Sequence, residues 1–432
     1  MPNSNGASPA SDSAGAPAEG RVRTFEALRD RNYRHFFGTL LANFTAVNMQ
    51  IFVRGWIVYE LTGSYESLGV MFLVNGLAGF ALAPFAGVIA DRVRQRKRLV
   101  IVCQYVAAAV AFGVASLIWM GQLRFEHLIA AAVVQGAART IKMPSRQALT
   151  AEVVGMGRLM NAIALNTSAM NFARLVMPGI AGFMVAAFGG GDGEIGPAAY
   201  VYIAMAVLYF YAGVGLIFVH VPDREPGSSR RGTALSELID GFRYVWTTSP
   251  MRMLAVVNFF MVFFGFTYVM LLPGFAKQVL DAGPAQLGLL TTVSGIGSLT
   301  GSLLVASMRS QRRGLLLLCS GLVLSVGLMG FAASTAIAVS FALIIVVGLG
   351  QAGRMSLSNV LMQAYVDDDY RGRVSSIYNL EMSLANAALY PIGRLADHPA
   401  VGPQLALGGA GALLGALSLG LLLFAHSYRR LD

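Results

Sequence analysis

Several charged side chains lie inside apolar stretches of this chain of 432 residues, and they are the residues most able to do chemistry. The acid that lies deepest is Glu381, and the cations are Arg54, Arg139, Lys142, Arg174, Arg354 and Arg394. If these stretches cross a membrane, a charge at the centre costs roughly 2.5–3.5 kcal/mol, so each is a functional candidate by default. Guanidinium groups bind carboxylates and phosphates through paired hydrogen bonds, and an intramembrane carboxylate can carry a proton.

Polar residues accompany these cations at the spacing of a helix. Positions i, i+3, i+4, i+7 and i+11 lie on one helical face. Three sets follow this spacing: Asn43, Gln50 and Arg54; Gln135, Arg139, Lys142 and Arg146; and Gln351, Arg354 and Ser358. Each set predicts a helix with one polar face. The asparagines could instead only join helices by hydrogen bonds, and Arg146 could anchor its helix at the membrane surface.

Glu381 is the acid that lies deepest in an apolar stretch. Two interpretations stay open at this point: it could carry a proton, or it could be the fixed partner of an arginine. Glu60, Glu66 and Glu126 lie at the ends of their stretches, where we expect them to face water.

The cations outnumber this acid, which predicts the sign of a bound molecule. An unpaired cation in a low-dielectric cavity is costly, so Arg54, Arg139, Lys142 and Arg354 indicate a cavity that accepts an anion. The competing account is that Arg139 and Lys142 face a cytoplasmic vestibule and only serve membrane topology.

The composition requires a membrane for these stretches. Hydrophobic residues make up 56% of the chain and charged residues only 12%, against about 25% charged in soluble domains. Twelve apolar segments are each long enough to cross roughly 30 Å of hydrocarbon as a helix. They are 35–60, 66–90, 98–120, 126–149, 158–188, 198–219, 251–278, 285–307, 314–333, 336–364, 371–396 and 402–426.

The positive charges predict the topology. The tail, the even-to-odd loops and the C-terminus hold 24 of the 32 lysines and arginines, whereas the odd-to-even loops hold only Arg124 and Lys277. This bias places both termini in the cytoplasm. Because the charges lie at segment ends, the net charge of +10 forms no continuous basic face and indicates no nucleic-acid partner.

Two halves can be read from the order of the segments. Gly87 corresponds to Gly301 in the second half, and Arg158 to Arg371, which indicates two parallel six-helix repeats. The predicted divisions are a disordered cytoplasmic tail (1–30), a first bundle (31–220), a cytoplasmic linker (221–250) and a second bundle (251–432).

A short basic loop carries the first resemblance to a known family. Residues 87–98 contain Gly87, Asp91 and then five basic residues within seven positions. This loop resembles the signature between the second and third helices of the major facilitator superfamily of transporters. The resemblance implies a gate that holds the cytoplasmic side closed, with Gly87 allowing close helix approach, Asp91 as its anion, and Arg92 and Arg96 as its cations. The alternative is a basic loop that only sets the orientation of the helices in the membrane and has no role in gating.

Four further segments, 56–64, 143–152, 161–166 and 173–182, resemble the enterobactin-exporter-like branch of that superfamily. That branch contains siderophore and macrolide exporters, usually driven by proton entry. The last segment holds its helix-packing, antiporter-like motif, here Arg174, Pro178, Gly179 and Gly182. Met177 replaces the usual glycine, which leaves the direction of transport open, and Lys142 replaces a common acid, which bears on the molecule carried.

The resemblance implies an all-α membrane protein with twelve transmembrane helices in two pseudo-symmetric six-helix bundles. In the superfamily, the first, fourth, seventh and tenth helices line a central cavity. The substrate-binding candidates are therefore Asn43, Gln50, Arg54, Gln135, Arg139, Lys142, Asn258, Gln351 and Arg354, with Glu381 as the candidate for proton coupling.

The predicted function is secondary active transport by alternating access in the bacterial inner membrane. We expect a monomeric, proton-coupled exporter of an organic, anionic small molecule, either siderophore-like or drug-like. An importer or exchanger of the same fold, a membrane-embedded enzyme and a non-transporting sensor are the alternatives. The chain has no Gly-x4-Gly-Lys-Ser/Thr phosphate loop and no metal-binding histidine spacing, so no cofactor, metal or enzymatic activity is predicted.

Overall fold

The computed structural model describes residues 27–425, apart from residues 94, 192, 222–233 and 309–311, and describes only the backbone of residues 84–92, 156, 234–238 and 368. These ranges contain fourteen α-helices. They are α1 (Arg31–Thr62), α2 (Tyr65–Arg92), α3 (Arg96–Trp119), α4 (Phe125–Val154), α5 (Leu159–Ala187), α6 (Ala198–Ile217), α7 (Ala234–Thr247), α8 (Ser249–Gln278), α9 (Pro284–Ser307), α10 (Arg313–Ala333), α11 (Ile337–Ala364), α12 (Arg371–Ala387), α13 (Tyr390–Asp397) and α14 (Gly402–Phe424).

Ten of the described helices are long and apolar enough to cross a membrane. They are α1, α2, α3, α5, α6, α8, α9, α10, α11 and α14. The fourth predicted segment forms α4, which has 30 residues but also carries Arg139, Lys142 and Arg146. The short helix α7 lies in the predicted linker and packs against α12.

The eleventh predicted segment is not one helix. It divides into α12 and α13, because the chain turns at Ala388 and Leu389 before Pro391. Proline has no backbone N–H and its ring clashes with the carbonyl four residues earlier, so a continuous helix is disfavoured here. The continuous segment 371–396 is therefore corrected to two helices.

The helices form two bundles. In the N-terminal half (α1–α6), α1 packs on α5 and α6, and α3 packs on α4 and α6. In the C-terminal half (α8–α14), α11 packs on α9 and α10, and α10 packs on α14. The predicted all-α, two-bundle architecture is confirmed, while the residue numbers of the domain boundaries remain predictions.

The two halves meet along two seams, one between α5 and α9 and the other between α2 and α12–α13. Glycines permit close backbone approach in both. A Cβ added to Gly76 on α2 would lie 2.5 Å from the Ser383 carbonyl oxygen, and one added to Gly182 on α5 would lie 2.4 Å from the Pro284 carbonyl oxygen. Helices in a membrane associate mainly by such tight packing, since burial from water does not drive them together.

The termini of α1 follow from its local sequence. Asp30 precedes the helix, and its carboxylate accepts hydrogen bonds from the backbone N–H groups of Asn32 and Tyr33. Gly63 ends it in the left-handed region at a φ of 62°, which glycine adopts without a steric penalty. These signals determine where α1 begins and ends.

Candidate functional site

A polar cluster in the N-terminal half joins α1, α4 and α6. The side-chain N–H groups of Gln50 and Arg54 on α1 both donate to the Gln135 carbonyl oxygen on α4. The Tyr209 hydroxyl on α6 donates to the Gln50 carbonyl oxygen at 2.9 Å. The predicted polar faces of α1 and α4 therefore meet. The sequence prediction missed Tyr209, since nothing in its neighbourhood distinguishes it from other tyrosines of an apolar helix.

Two arginines of this cluster carry positive charge that no described carboxylate balances. Arg54 is half-buried, Arg139 is exposed, and the two are close enough to act on each other electrostatically. Among the described side chains, no carboxylate oxygen lies within the 4.0 Å of an ion pair from either guanidinium group. The cluster therefore presents an excess of positive charge.

Lys142 lies in a different environment from these arginines. Its side chain is buried, with the residue only 5% exposed, and its ammonium group donates to Asn43 Oδ1 at 2.7 Å and Gln104 Oε1 at 3.0 Å. Gln104 also donates to Asn43 at 3.1 Å. In this conformation Lys142 thus binds protein amides between α1, α3 and α4, and its contact with a substrate stays a prediction. The sequence prediction also missed Gln104. The signal that could have identified it is a single glutamine within the apolar run of α3.

Arg146, one helical turn beyond Lys142, stacks on an aromatic ring. Its guanidinium carbon lies 4.8 Å from the centre of the Phe44 ring on α1. A cation over an aromatic face is attracted to it. The contact holds the Arg146 side chain at the interface between α1 and α4.

A second polar cluster lies in the C-terminal half around Arg354. Arg354 on α11 is 0% exposed, and its Nε donates to Gln351 Oε1 at 3.3 Å. Its two terminal nitrogens, Nη1 and Nη2, are buried without a hydrogen-bond partner among the described residues, as is the hydroxyl of Ser358 on the same helix. Buried polar groups are usually paired, so this guanidinium has free capacity to bind an anion.

Glu381 forms the other part of this second cluster. Asn258 Nδ2 on α8 donates to Glu381 Oε1 at 2.6 Å. Within the described part of the chain, Glu381 Oε2, Asn258 Oδ1 and the Tyr378 hydroxyl are buried without partners. Arg354 acts on Glu381 electrostatically, but no ion pair within 4.0 Å joins them. Proximity without direct pairing leaves both groups available to other partners.

Of three predicted gate residues, Gly87, Asp91 and Arg92, the structure describes only the backbone, so their predicted contacts lie outside the described part. Arg96, the fourth, is described: its guanidinium group forms a 2.9 Å ion pair with Glu152 on α4. This pair ties the start of α3 to the end of α4 within the N-terminal half. Glu152 lies in the segment 143–152, which resembles the family, but the sequence predicted no role for it.

The antiporter-like motif lies where α5 meets α9. A Cβ added to Gly179 would lie 2.6 Å from Thr292 Oγ1, and Gly182 packs beside it as described above. Pro178 is buried within α5, and the Arg174 side chain is exposed and acts electrostatically on Arg354. The motif thus places one more cation near the second cluster.

Two acids at the ends of apolar stretches do not simply face water. The Glu60 side chain is only 4% exposed and forms an ion pair with Lys277 of the C-terminal half. The Glu66 carboxylate accepts a 2.6 Å hydrogen bond from the Tyr390 hydroxyl on α13. The expectation that Glu60 faces water was wrong, because Lys277 reaches it across the seam between the halves. Glu66 stays partly exposed and gains a partner from the other half.

The comparisons with known proteins define the class. Residues 36–390 match the sequence profile of the Major Facilitator Superfamily, so the chain belongs to that family. The chain resembles the nucleoside transporter NupG, with a TM-score of 0.72 and 12% identity over 91% of this chain and 99% of that chain. It also resembles a D-xylose-proton symporter, with a TM-score of 0.66 and 16% identity over 93% and 98% of the two chains. At these identities the likeness shows the fold.

Two relatives are similar in sequence. One is the multidrug efflux pump Tap of Mycolicibacterium fortuitum, 27% identical over 85% of this chain and 88% of the relative. The other is the staphyloferrin A transporter of Staphylococcus aureus, 22% identical over 79% and 82% of the two chains. The predicted siderophore- and drug-exporter-like branch is confirmed by these relatives. The chain is a multi-pass membrane transporter, and its family and fold are not those of an enzyme.

Proposed function

We propose that this protein exports an organic anion across the bacterial inner membrane by alternating access, driven by proton entry. The observation that carries the proposal is the charge of the interior. Arg54 in the first polar cluster is half-buried and Arg354 in the second is buried, and neither has a described carboxylate within ion-pair distance. Because an uncompensated cation in a low-dielectric site is costly, such a site favours an anionic ligand.

The type of cation narrows the ligand chemistry. Arginine presents a planar fork of donors that matches carboxylates, phosphates and sulfonates through two parallel hydrogen bonds. The free Nη1 and Nη2 atoms of Arg354 offer such a fork. A carrier of lipophilic cations would be expected to carry the opposite excess of charge.

The direction and the coupling ion are further parts of the proposal. The name of the multidrug efflux pump similar to this chain supports export. Glu381 is the described acid that shares a buried cluster with Arg354, and acids of this kind carry protons in transporters. A proton on Glu381 would leave Arg354 free for the substrate, whereas a charged Glu381 would attract Arg354 in its absence.

The topology and the gate complete the proposal. Both termini lie in the cytoplasm, the protein acts as a monomer, and the loop that contains Gly87, Asp91, Arg92 and Arg96 closes the cytoplasmic side. Import or exchange by the same fold is the alternative. Flux measured in both directions separates export from import and exchange, and the absence of any flux would indicate a sensor that does not transport.

Binding of two opposite probes tests the sign of the substrate. The purified protein in detergent is titrated with carboxyfluorescein, an anion, and with ethidium, a cation, and binding is followed by fluorescence anisotropy. We expect the anion to bind more tightly. The Arg54→Ala and Arg354→Ala variants should each weaken anion binding by roughly 10-fold or more, as expected for a lost charged hydrogen bond. The Glu126→Ala variant, changed at an exposed acid, is the control.

Tighter binding of ethidium than of carboxyfluorescein by the wild type would contradict an anionic substrate. So would anion affinity that is unchanged in both arginine variants. Transport itself is then measured in proteoliposomes that contain a pH-sensitive dye, where export of the anion should be accompanied by proton movement in the opposite direction.

A further inference from the structure

The acid Asp397, at the end of α13, caps a helix of the other half. Its carboxylate accepts hydrogen bonds from the backbone N–H of Tyr65 at 2.8 Å, from the backbone N–H of Glu66 at 2.7 Å and from the Ser64 hydroxyl at 2.6 Å. Tyr65 and Glu66 are the first residues of α2, where backbone N–H groups have no acceptor within the helix. A carboxylate there also meets the positive end of the helix dipole.

The other polar contacts around this cap also join the two halves. The Tyr390 hydroxyl donates to Glu66, and Lys277 forms the ion pair with Glu60 described above. The Tyr65 hydroxyl donates to Gln278 at 3.0 Å. All of these residues lie at one end of the bundle, opposite to the start of α1 and the end of α14. We call it the outer end.

Backbone packing fixes the position of α13 beneath the cap. A Cβ added to Gly393 would lie 2.4 Å from the Tyr65 carbonyl oxygen, and one added to Gly69 would lie 3.0 Å from the Tyr390 carbonyl oxygen. The two helices therefore approach closely enough for a short acidic side chain to reach the end of α2. Where both partners are described, the side-chain hydrogen bonds and ion pairs that cross between the halves lie at this outer end.

We propose that Asp397 is a positioning residue of the transport cycle, whose cap on α2 holds the outer ends of the two halves together and is released when the outer side opens. The inference rests on the alternating-access part of the proposed function, but neither on the sign of the substrate nor on its coupling to protons. Removing a helix cap changes an equilibrium by roughly 2- to 30-fold. A change of that size shifts the balance between closed and open states without removing the remaining contacts of the seam.

Distances between spin labels test this without any substrate. In the full chain with Cys103→Ala and Cys319→Ser, nitroxide labels are attached at Met120→Cys, at the end of α3, and Thr335→Cys, before α11. Both positions are exposed and lie at the outer end of opposite halves, away from the cap. Pulsed electron resonance then measures the distance distribution for Asp397→Ala, Asp397→Asn and the control Glu126→Ala.

We expect Asp397→Ala to increase the ratio of long to short distances by roughly 2- to 30-fold over the control. Asp397→Asn keeps one acceptor oxygen but loses the charge, so its ratio should lie between those of Asp397→Ala and the control. Equal distributions for Asp397→Ala and Glu126→Ala would overturn the proposal. If Asp397→Ala does not elute as a folded protein, the comparison of Asp397→Asn with Glu126→Ala decides, and equality there overturns it as well.

Discussion

Asn258 on α8 donates a 2.6 Å hydrogen bond to Glu381 on α12, so the acid of the second polar cluster is held by a neutral amide. The other oxygen of Glu381 has no hydrogen-bond partner among the described residues. A carboxylate held by one neutral donor, with Arg354 nearby but not paired, can change its charge without breaking an ion pair. This arrangement is consistent with the proposed proton transfer and shows no fixed salt bridge to Arg354.

Replacing Glu381 with glutamine should therefore separate coupling from transport. Glutamine keeps a carbonyl oxygen that accepts the hydrogen bond from Asn258, but it cannot carry a proton. We expect Glu381→Gln to abolish accumulation driven by a pH gradient in proteoliposomes while exchange of substrate for substrate continues. The exposed acid Glu126, changed to glutamine, is the control. Gradient-driven transport that survives in Glu381→Gln would show that Glu381 is structural.

Arg354 gives a prediction in which stability and activity change in opposite directions. Its terminal nitrogens are buried without described partners, and an uncompensated buried charge is costly, so an apolar side chain of similar volume should remove this cost. We expect Arg354→Met to raise the melting temperature in detergent and to abolish binding of the anionic probe. The exposed Arg394, changed to methionine, should alter neither property. A lower melting temperature for Arg354→Met would contradict an unpaired guanidinium group.

Arg54 and Lys142 should respond differently to truncation. Lys142 donates to the buried amides Asn43 and Gln104, so Lys142→Ala leaves their oxygens without this donor. We expect it to destabilise the protein by roughly 1–3 kcal/mol. Arg54 is half-buried beside the exposed Arg139, so Arg54→Ala should weaken anion binding with a smaller effect on stability. Thermal unfolding and probe binding of both variants check this, and an equal loss of stability in the two would contradict it.

The seam between α2 and α12 gives a prediction with a matched control. A Cβ on Gly76 would lie 2.5 Å from the Ser383 carbonyl oxygen and 2.6 Å from the Ala387 nitrogen, both backbone atoms that cannot move aside. We expect Gly76→Ala to destabilise the protein by roughly 1–3 kcal/mol. Gly113 on α3 has open space around it, so Gly113→Ala should be neutral or stabilising by up to about 1 kcal/mol. The two melting temperatures decide, and equal values would contradict the close packing.

The sequence by itself determined the class of protein and most of its helices. Apolar segments of membrane-spanning length and the distribution of arginines and lysines are local properties, because the bilayer acts on each segment separately. The polar faces of α1 and α4 could also be predicted, since Gln50, Arg54 and Gln135 follow the helical repeat. Pro391 was visible too, but prolines are tolerated in membrane helices, so its position alone did not predict the break between α12 and α13.

Only the tertiary structure decided which polar side chains meet. The separation of Lys142, bound to Asn43 and Gln104, from Arg54, bound to Gln135, depends on how α1, α3, α4 and α6 are rotated against one another. The cap that Asp397 places on α2 joins residues more than 300 positions apart. No local pattern encodes such a contact, because the capping signal of a helix is normally read from its own preceding residues, whereas here part of the cap comes from the other half.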